Sequence, residues 1–239
     1  MLIKTFGSAV FGVNAATITI EVNVDRGAQI AIVGLPDSAI KEAQQRIRAA
    51  LANSGYEFPV RNITINMAPA DLRKEGTAYD LPLAVGLLAA TEAFSSDELA
   101  HYIMMGELSL DGSLRPIRGS LPIAIQAQKE GFKGIILPAV NAEEAAIVEG
   151  FEVYGVQHMG EVIEFFTKEN ALQRVVVDAR EEFSGVNTTT EFLTKYIFDV
   201  LAKAARSGDL GRDGSQLHAI RVTLSESHVA RAWYEAEIH

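Results

Sequence analysis

The sequence predicts an α/β protein of the α+β kind, followed by a small C-terminal piece of one helix and strands. Three observations carry this. Short β-branched runs alternate with helix-period patterns from residue 16 to about residue 170. Turn residues separate the runs at short intervals, as in DRG at 25–27 and DG at 111–112. After Phe183 the composition shifts to SGVNTTT, a small-residue polar stretch of linker type.

The elements follow in chain order. Residues 16–24, ATITIEVNV, alternate β-branched and polar side chains and predict a strand; QIAIV at 29–33 predicts a second. GLPDSAIKEAQQRIRAALANSG predicts a helix capped by Asp37 or Ser38, with Ile40, Ile47 and Leu51 on one face and Gly55 ending it. Residues 63–66 predict a short strand. Thr77 is expected to cap an apolar helix over 80–90. Residues 103–108 and 113–115 predict a hairpin about Asp111 and Gly112. Helices are expected over 121–129, 142–148 and 160–167, with strands at 134–137 and 152–156 between them. Beyond the junction, 191–206 predicts an amphipathic helix, 217–224 a β-rich run and 230–237 a further strand.

The 239 residues include 21 Lys+Arg against 31 Asp+Glu, a net charge of −10. Residues 184–239 hold six basic and seven acidic side chains, so the acidity belongs to the first three quarters. Such a surface predicts weak, salt-sensitive nucleic-acid binding, confined to local basic loops. No cysteine is present, which excludes disulfides, zinc-thiolate sites and cysteine nucleophiles. The five histidines are scattered and no HExxH, GxSxG or GxxxxGK[ST] occurs, so no metal ligand set and no phosphate loop is expected. No apolar run approaches a membrane span and the first residues do not form a signal sequence, so a cytoplasmic protein without membrane partners is expected.

One stretch concentrates the functional question. DLRKEGTAYDLPLAVGLLAA, residues 71–90, runs from a mixed-charge loop into an apolar helix. Taken alone, Asp71–Glu75 predicts a solvated loop, from which Arg73 and Lys74 could reach a phosphate or a neighbouring subunit's carboxylate. Asp80 is expected at the positive end of the helix dipole. GLPD at 34–37 predicts a tight strand-to-helix turn.

Several long words of this chain resemble the N-terminal domain of the Mg-chelatase-like AAA+ ATPases, the ComM and YifB family. They are FGVNA, VGLPDSAIKEAQQRIRAALANSGYEFP, NITINMAPADLRKEGTAYDLPLAVGLLAA, GELSLDGSLRPIRGSLPIAIQAQKEGFKGIILP and NAEEAAIVEGFEVYGVQHMGEVIEFF, in order over about residues 1–175. The resemblance implies a domain like ribosomal protein S5 domain 2 and the Lon proteolytic domain. It implies an ATPase that acts on DNA by branch migration in natural transformation. Laid on the Lon pattern, the nucleophile position is Ala78 and the general-base position Leu121, so a Ser/Lys dyad is lacking and no catalytic residue is expected. Arg73, Lys74, Asp80, Arg115 and Arg118 are then expected to contact subunits or DNA. The Walker motifs of the family's motor are absent, so ATP and Mg are expected only in an ATPase domain that this chain lacks. The expected partners are copies of itself or ring-forming ATPase subunits.

Residues 187–239 resemble the C-terminal half of 6-pyruvoyl/6-carboxytetrahydropterin synthases, a T-fold unit, through NTTTE, IRVTLSES and WYEA. That resemblance makes Glu226 a vestigial pterin anchor without the family's zinc-binding histidines. The expected organisation is thus 1–175, a junction at 176–186, and a fragment at 187–239 that reads as part of a chimeric or truncated chain. The alternatives are a zinc-dependent tetrahydropterin synthase relative and a Lon-like serine peptidase relative.

Overall fold

Seven strands share one sheet in the computed structural model, which describes residues 2–12, 14–91, 94, 97–176, 190–207, 219–225 and 231–237. The chain divides into two compact units, Met1–Val177 and Asp178–His239. In the first unit the strands are β1 (Leu2–Phe11), β2 (Asn14–Asp25), β3 (Ile30–Val33), β4 (Asn62–Ala68), β5 (Tyr102–Met104), β8 (Gly134–Pro138) and β9 (Glu152–Val156). They lie in the order β3-β4-β2-β1-β5-β8-β9. β2 is antiparallel to both β1 and β4, and every other neighbouring pair is parallel. The sheet is therefore mixed and mostly parallel, as an α/β sequence with helical crossovers requires.

β1 is absent from the strands expected from sequence. Its buried face is Ile3, Thr5, Gly7 and Ala9, with Ser8 buried on the other face, while Leu2 and Phe11 are exposed; the inward positions are small or polar and the outward ones partly apolar, so the sequence shows no hydrophobic alternation. The expected single strand over 103–108 is also corrected. It breaks at Met105 and Gly106: β5 stays in the main sheet, while β6 (Glu107–Leu108) turns away to pair with β7 (Leu114–Arg115). The break is fixed by backbone bonds of another partner, since the Gly106 N–H donates to Ala78 O at 2.7 Å and the Leu81 N–H to Gly106 O at 3.0 Å.

α1 (Ser38–Asn53) starts at Asp37, whose carboxylate accepts the Ile40 N–H at 2.8 Å. Ile40, Ala43, Ile47, Ala50 and Leu51 form its buried stripe. α2 (Asp80–Ala90) is buried at every residue and is the centre of the core. Gly86 within it faces β1 and β2, where an added Cβ would lie 3.1 Å from Val22 and 3.3 Å from Thr5. Thr77 does not cap this helix. Tyr79 holds the capping position and supplies no side-chain bond. Pro82 is tolerated because the first turn has no intrahelical use for its missing N–H.

α3 (Ser120–Lys129), α4 (Ala139–Ala145) and α5 (Met159–Thr167) complete the unit. α4 starts three residues before the expected position. α5 carries a capping box: His158 Nδ1 accepts the Gly160 N–H at 3.0 Å, and Glu161 accepts the His158 N–H at 2.8 Å.

In the second unit, α6 (Thr190–Ser207) packs on an antiparallel pair, β10 (Ala219–Ser225) and β11 (Arg231–Glu237). Phe198, Ala202 and Val222 form its described core, with the Phe198 and Tyr234 rings 4.8 Å apart. Glu226 lies outside the described residues. No helix among the described residues is long and apolar enough to cross a membrane.

Candidate functional site: a cleft at the start of α2

The loop before α2 forms one wall of a cleft of about 620 Å³. The end of β1 (Ser8–Phe11), the stretch 75–79 and the loop Pro116–Arg118 meet there, with Met105 and Glu107 between them. Of the residues expected to matter, the cleft brings together Arg73, Ala78 and Arg118. Arg115 stands beside it, 3.9 Å from the Glu107 carboxylate. Leu121 is not among its lining residues; it lies in the first turn of α3.

The hydroxyl at the heart of this wall belongs to Thr77, next to Ala78. It donates to the Glu107 carboxylate. Ser8, the other aliphatic hydroxyl of the lining, donates to Ala16 O. No lysine or histidine lines the cleft among the described residues. The nearest lysine in sequence has another use, which corrects the solvated-loop expectation and the expected subunit or DNA contact at Lys74, while Asp71, Arg73 and Glu75 are exposed as expected. Lys74 is fully buried. Its ammonium donates to Gly34 O at 2.9 Å and to Pro69 O. Burial holds its pKa below the ordinary lysine value. The backbone repeats the tie, because the Asp37 N–H donates to Lys74 O at 3.1 Å and the Gly76 N–H to the Asp37 carboxylate at 2.8 Å. The turn between β3 and α1 thus anchors the cleft wall. Arg73 does project, 74% exposed and paired to Glu75 at 2.9 Å.

Asp80 stands in the first turn of α2, at the positive end of the helix dipole as expected. Its expected contact with subunits or DNA is corrected, because the carboxylate is buried, 1% exposed. Arg46 grips it with two bonds, Nε at 2.7 Å and Nη2 at 2.9 Å, and the Leu108 N–H adds a third at 3.2 Å. Burial raises its pKa, against the pull of Arg46. The pair joins α1, α2 and β6 beneath the cleft. Arg46, Glu107 and the second role of Asp37 were not read from the sequence. Their partners lie 30 or more residues away, and no local pattern announces such pairs.

No cluster of three or more metal-ligating carboxylates or histidines occurs among the described residues. The cleft therefore offers one hydroxyl bound to a carboxylate, an apolar lining and exposed guanidiniums at its rim.

Residues 20–141 match the family described as subunit ChlI of Mg-chelatase. The chain belongs to this family. Within it, YifB of Escherichia coli is 44% identical over 167 residues, 70% of this chain and 33% of that protein. The competence protein ComM of Haemophilus influenzae is 38% identical over 187 residues, 77% of this chain and 36% of that protein. Lon protease 2 of Bacillus subtilis is 27% identical over 179 residues, 66% of this chain and 32% of that protein. The chain thus spans about a third of the length of the curated relatives it matches. The resemblance of residues 187–239 to tetrahydropterin synthases draws no support from these relatives.

Proposed function

We propose that this ChlI-family chain is a non-catalytic accessory domain, of the S5 domain 2-like type, that works with a Mg-chelatase-like ATPase acting on DNA. The observation that carries the non-catalytic part is the chemistry of the cleft wall. At the nucleophile position stands the methyl of Ala78. The neighbouring Thr77 hydroxyl meets a carboxylate and no amine, and Lys74 is turned into backbone carbonyls. A hydroxyl needs a base of lowered pKa within hydrogen-bond reach to attack a carbonyl. The match to a competence protein supports the DNA part, with branch migration during strand integration as the finer reading. ATP and Mg belong to a motor outside this chain, and ring-forming subunits of that motor are the proposed partners, in the cytoplasm.

Arg73, Arg115 and Arg118 give the domain its local positive rim, while the net charge of −10 limits affinity. Two assays test the proposal. Incubation with casein should release no peptides; cleavage that Thr77→Ala abolishes would overturn the non-catalytic reading. Fluorescence anisotropy with a labelled branched DNA should show weak binding at low salt. That binding should disappear when the three arginines are replaced by glutamate. No binding by the unaltered chain at low salt would remove the DNA contact.

A further inference from the structure

The tip of the β6–β7 hairpin is held from two sides. At the end of α1 the Asn53 amide donates to Leu110 O at 2.7 Å. At the start of α5 the Met159 N–H donates to Gly112 O at 2.9 Å, and the Leu114 N–H donates to Gln157 O at 2.8 Å. An added Cβ at Gly112 would lie 2.5 Å from Ser54 Oγ and 2.6 Å from His158 Nε2, so the tip is wedged between α1 and the His158 ring.

His158 is half-buried and uses both ring nitrogens. Nδ1 accepts the Gly160 N–H at 3.0 Å and so caps α5. Nε2 lies 2.8 Å from Asp111 O, a carbonyl that can only accept. These two partners fix the ring as neutral, with its proton on Nε2. Helix caps are as a rule Ser, Thr, Asp or Asn, whose oxygens remain acceptors near neutral pH. Histidine is the side chain whose charge changes there, and an imidazolium has two donors and no acceptor. A charged ring cannot keep both bonds. If it stays, two N–H groups face each other at Gly160; if it turns, Asp111 O is given up. Carboxylates stand ready for the charged ring on both sides. On the hairpin the Asp111 carboxylate accepts the Ser113 N–H at 3.0 Å and its hydroxyl at 2.7 Å. On α5 the Glu161 carboxylate accepts the Gln157 and His158 N–H groups at 2.9 and 2.8 Å. The α1 residues at the joint, Asn53 and Ser54, are uncharged, and Arg115 of β7 is directed to Ser109 and Glu107.

We propose that His158 is a proton-operated latch, whose neutral ring bolts the hairpin tip to α5 and whose charged ring releases it. The backbone bonds to Gln157 and Met159 keep the released tip attached, so it loosens without unfolding. β6 and β7 lead from this tip to Glu107, which receives the Thr77 hydroxyl, and to Arg115. The latch thus sits on the element that supplies one wall of the cleft. The proposal depends neither on the accessory role above nor on DNA binding.

The test is NMR on the intact 239-residue chain, from about pH 8 to about pH 5. At the upper end the ring nitrogen shifts should place the His158 proton on Nε2. Toward the lower end the Gly160 amide should lose about fivefold in protection, after correction for the intrinsic pH dependence of exchange. The Asp111 and Gly112 amide signals should move with the same midpoint as the ring. His158→Asn supplies a cap acceptor that does not titrate, so its Gly160 amide should be equally protected throughout. That variant also separates the latch from the other histidines and the carboxylates. Three results would each overturn the proposal. They are a proton on Nδ1 at the upper end, Gly160 protection unchanged while the ring titrates, and an acid response in His158→Asn equal to that of the unaltered protein. The first two are read without the variant.

Discussion

Asp80 shows how much one side chain settles in this protein. It is the only charged residue of a helix buried at every position, and it is tolerated because Arg46 supplies two bonds and Leu108 a third. Removing Arg46 leaves the Asp80 carboxylate buried without compensation, so Arg46→Ala should cost about 3–5 kcal/mol. Asp80→Ala should cost less, because the Arg46 side chain is 21% exposed and can turn to water. Replacing both together by leucine and methionine should cost less than the two single losses added. Urea denaturation of the four proteins measures this. A pH effect belongs to the same scale. Burial raises the Tyr79 phenol, and burial with the neighbouring Glu152 carboxylate pushes Tyr154 up to about 12. In the unfolded chain both titrate at about 10. Between those values the unfolded chain gives up protons that the fold keeps. This contribution is present below pH 10 and is lost as pH rises through the folded value. The Tyr79→Phe, Tyr154→Phe double variant should lose less stability between pH 9 and 11 than the unaltered protein, as read from urea midpoints.

At the scale of elements, the turn from β3 into α1 joins more than its two neighbours. Asp37 caps α1 through one carboxylate oxygen and holds Gly76 of the cleft wall through the other. Asp37→Ala should cost about 1–2 kcal/mol from the lost cap alone, and it should also broaden the amide signals of Gly76 and Thr77. Gly34 in the same turn has φ +98°, and an added Cβ would sit 2.1 Å from Met67 O, a backbone atom that cannot step aside. Gly34→Ala should therefore be more damaging than the cap loss, with thermal unfolding as the measure. The helix that follows was legible in sequence because its signals are local: Asp37 at the start, Ile40, Ile47 and Leu51 at helical spacing, and Gly55 after the end. The Asp111-Gly112 turn was legible for the same reason. β1 was not, because its inward positions include Thr5 and Gly7 while Leu2 and Phe11 point outward, so the residue types do not follow the burial. The cleft was legible only in part. The Ala78 wall and the Pro116–Arg118 loop are contiguous words of sequence, whereas the contacts Thr77–Glu107, Lys74–Gly34 and Arg46–Asp80 each join segments 30 or more residues apart.

For the whole molecule, the first unit is self-sufficient. Its core, from Ile3 to Phe166, is drawn from its own residues, with α2 at the centre. The fragment 1–177 should fold alone and melt as a single cooperative transition by calorimetry, with α2 amides the slowest to exchange. Two separate transitions in that fragment would show that the mixed sheet is not one cooperative body.

The position of β1 also bears on synthesis. This first strand lies between the two halves of the sheet, with β2, β4 and β3 on one side and β5, β8 and β9 on the other. A chain leaving the ribosome can build the first half as soon as β4 has emerged. Its partner on the other side, around Ile103, is made nearly a hundred residues after Phe6. Until then that flank of β1 has no strand beside it. The nascent protein then carries an unpaired strand edge of the kind that chaperones shield.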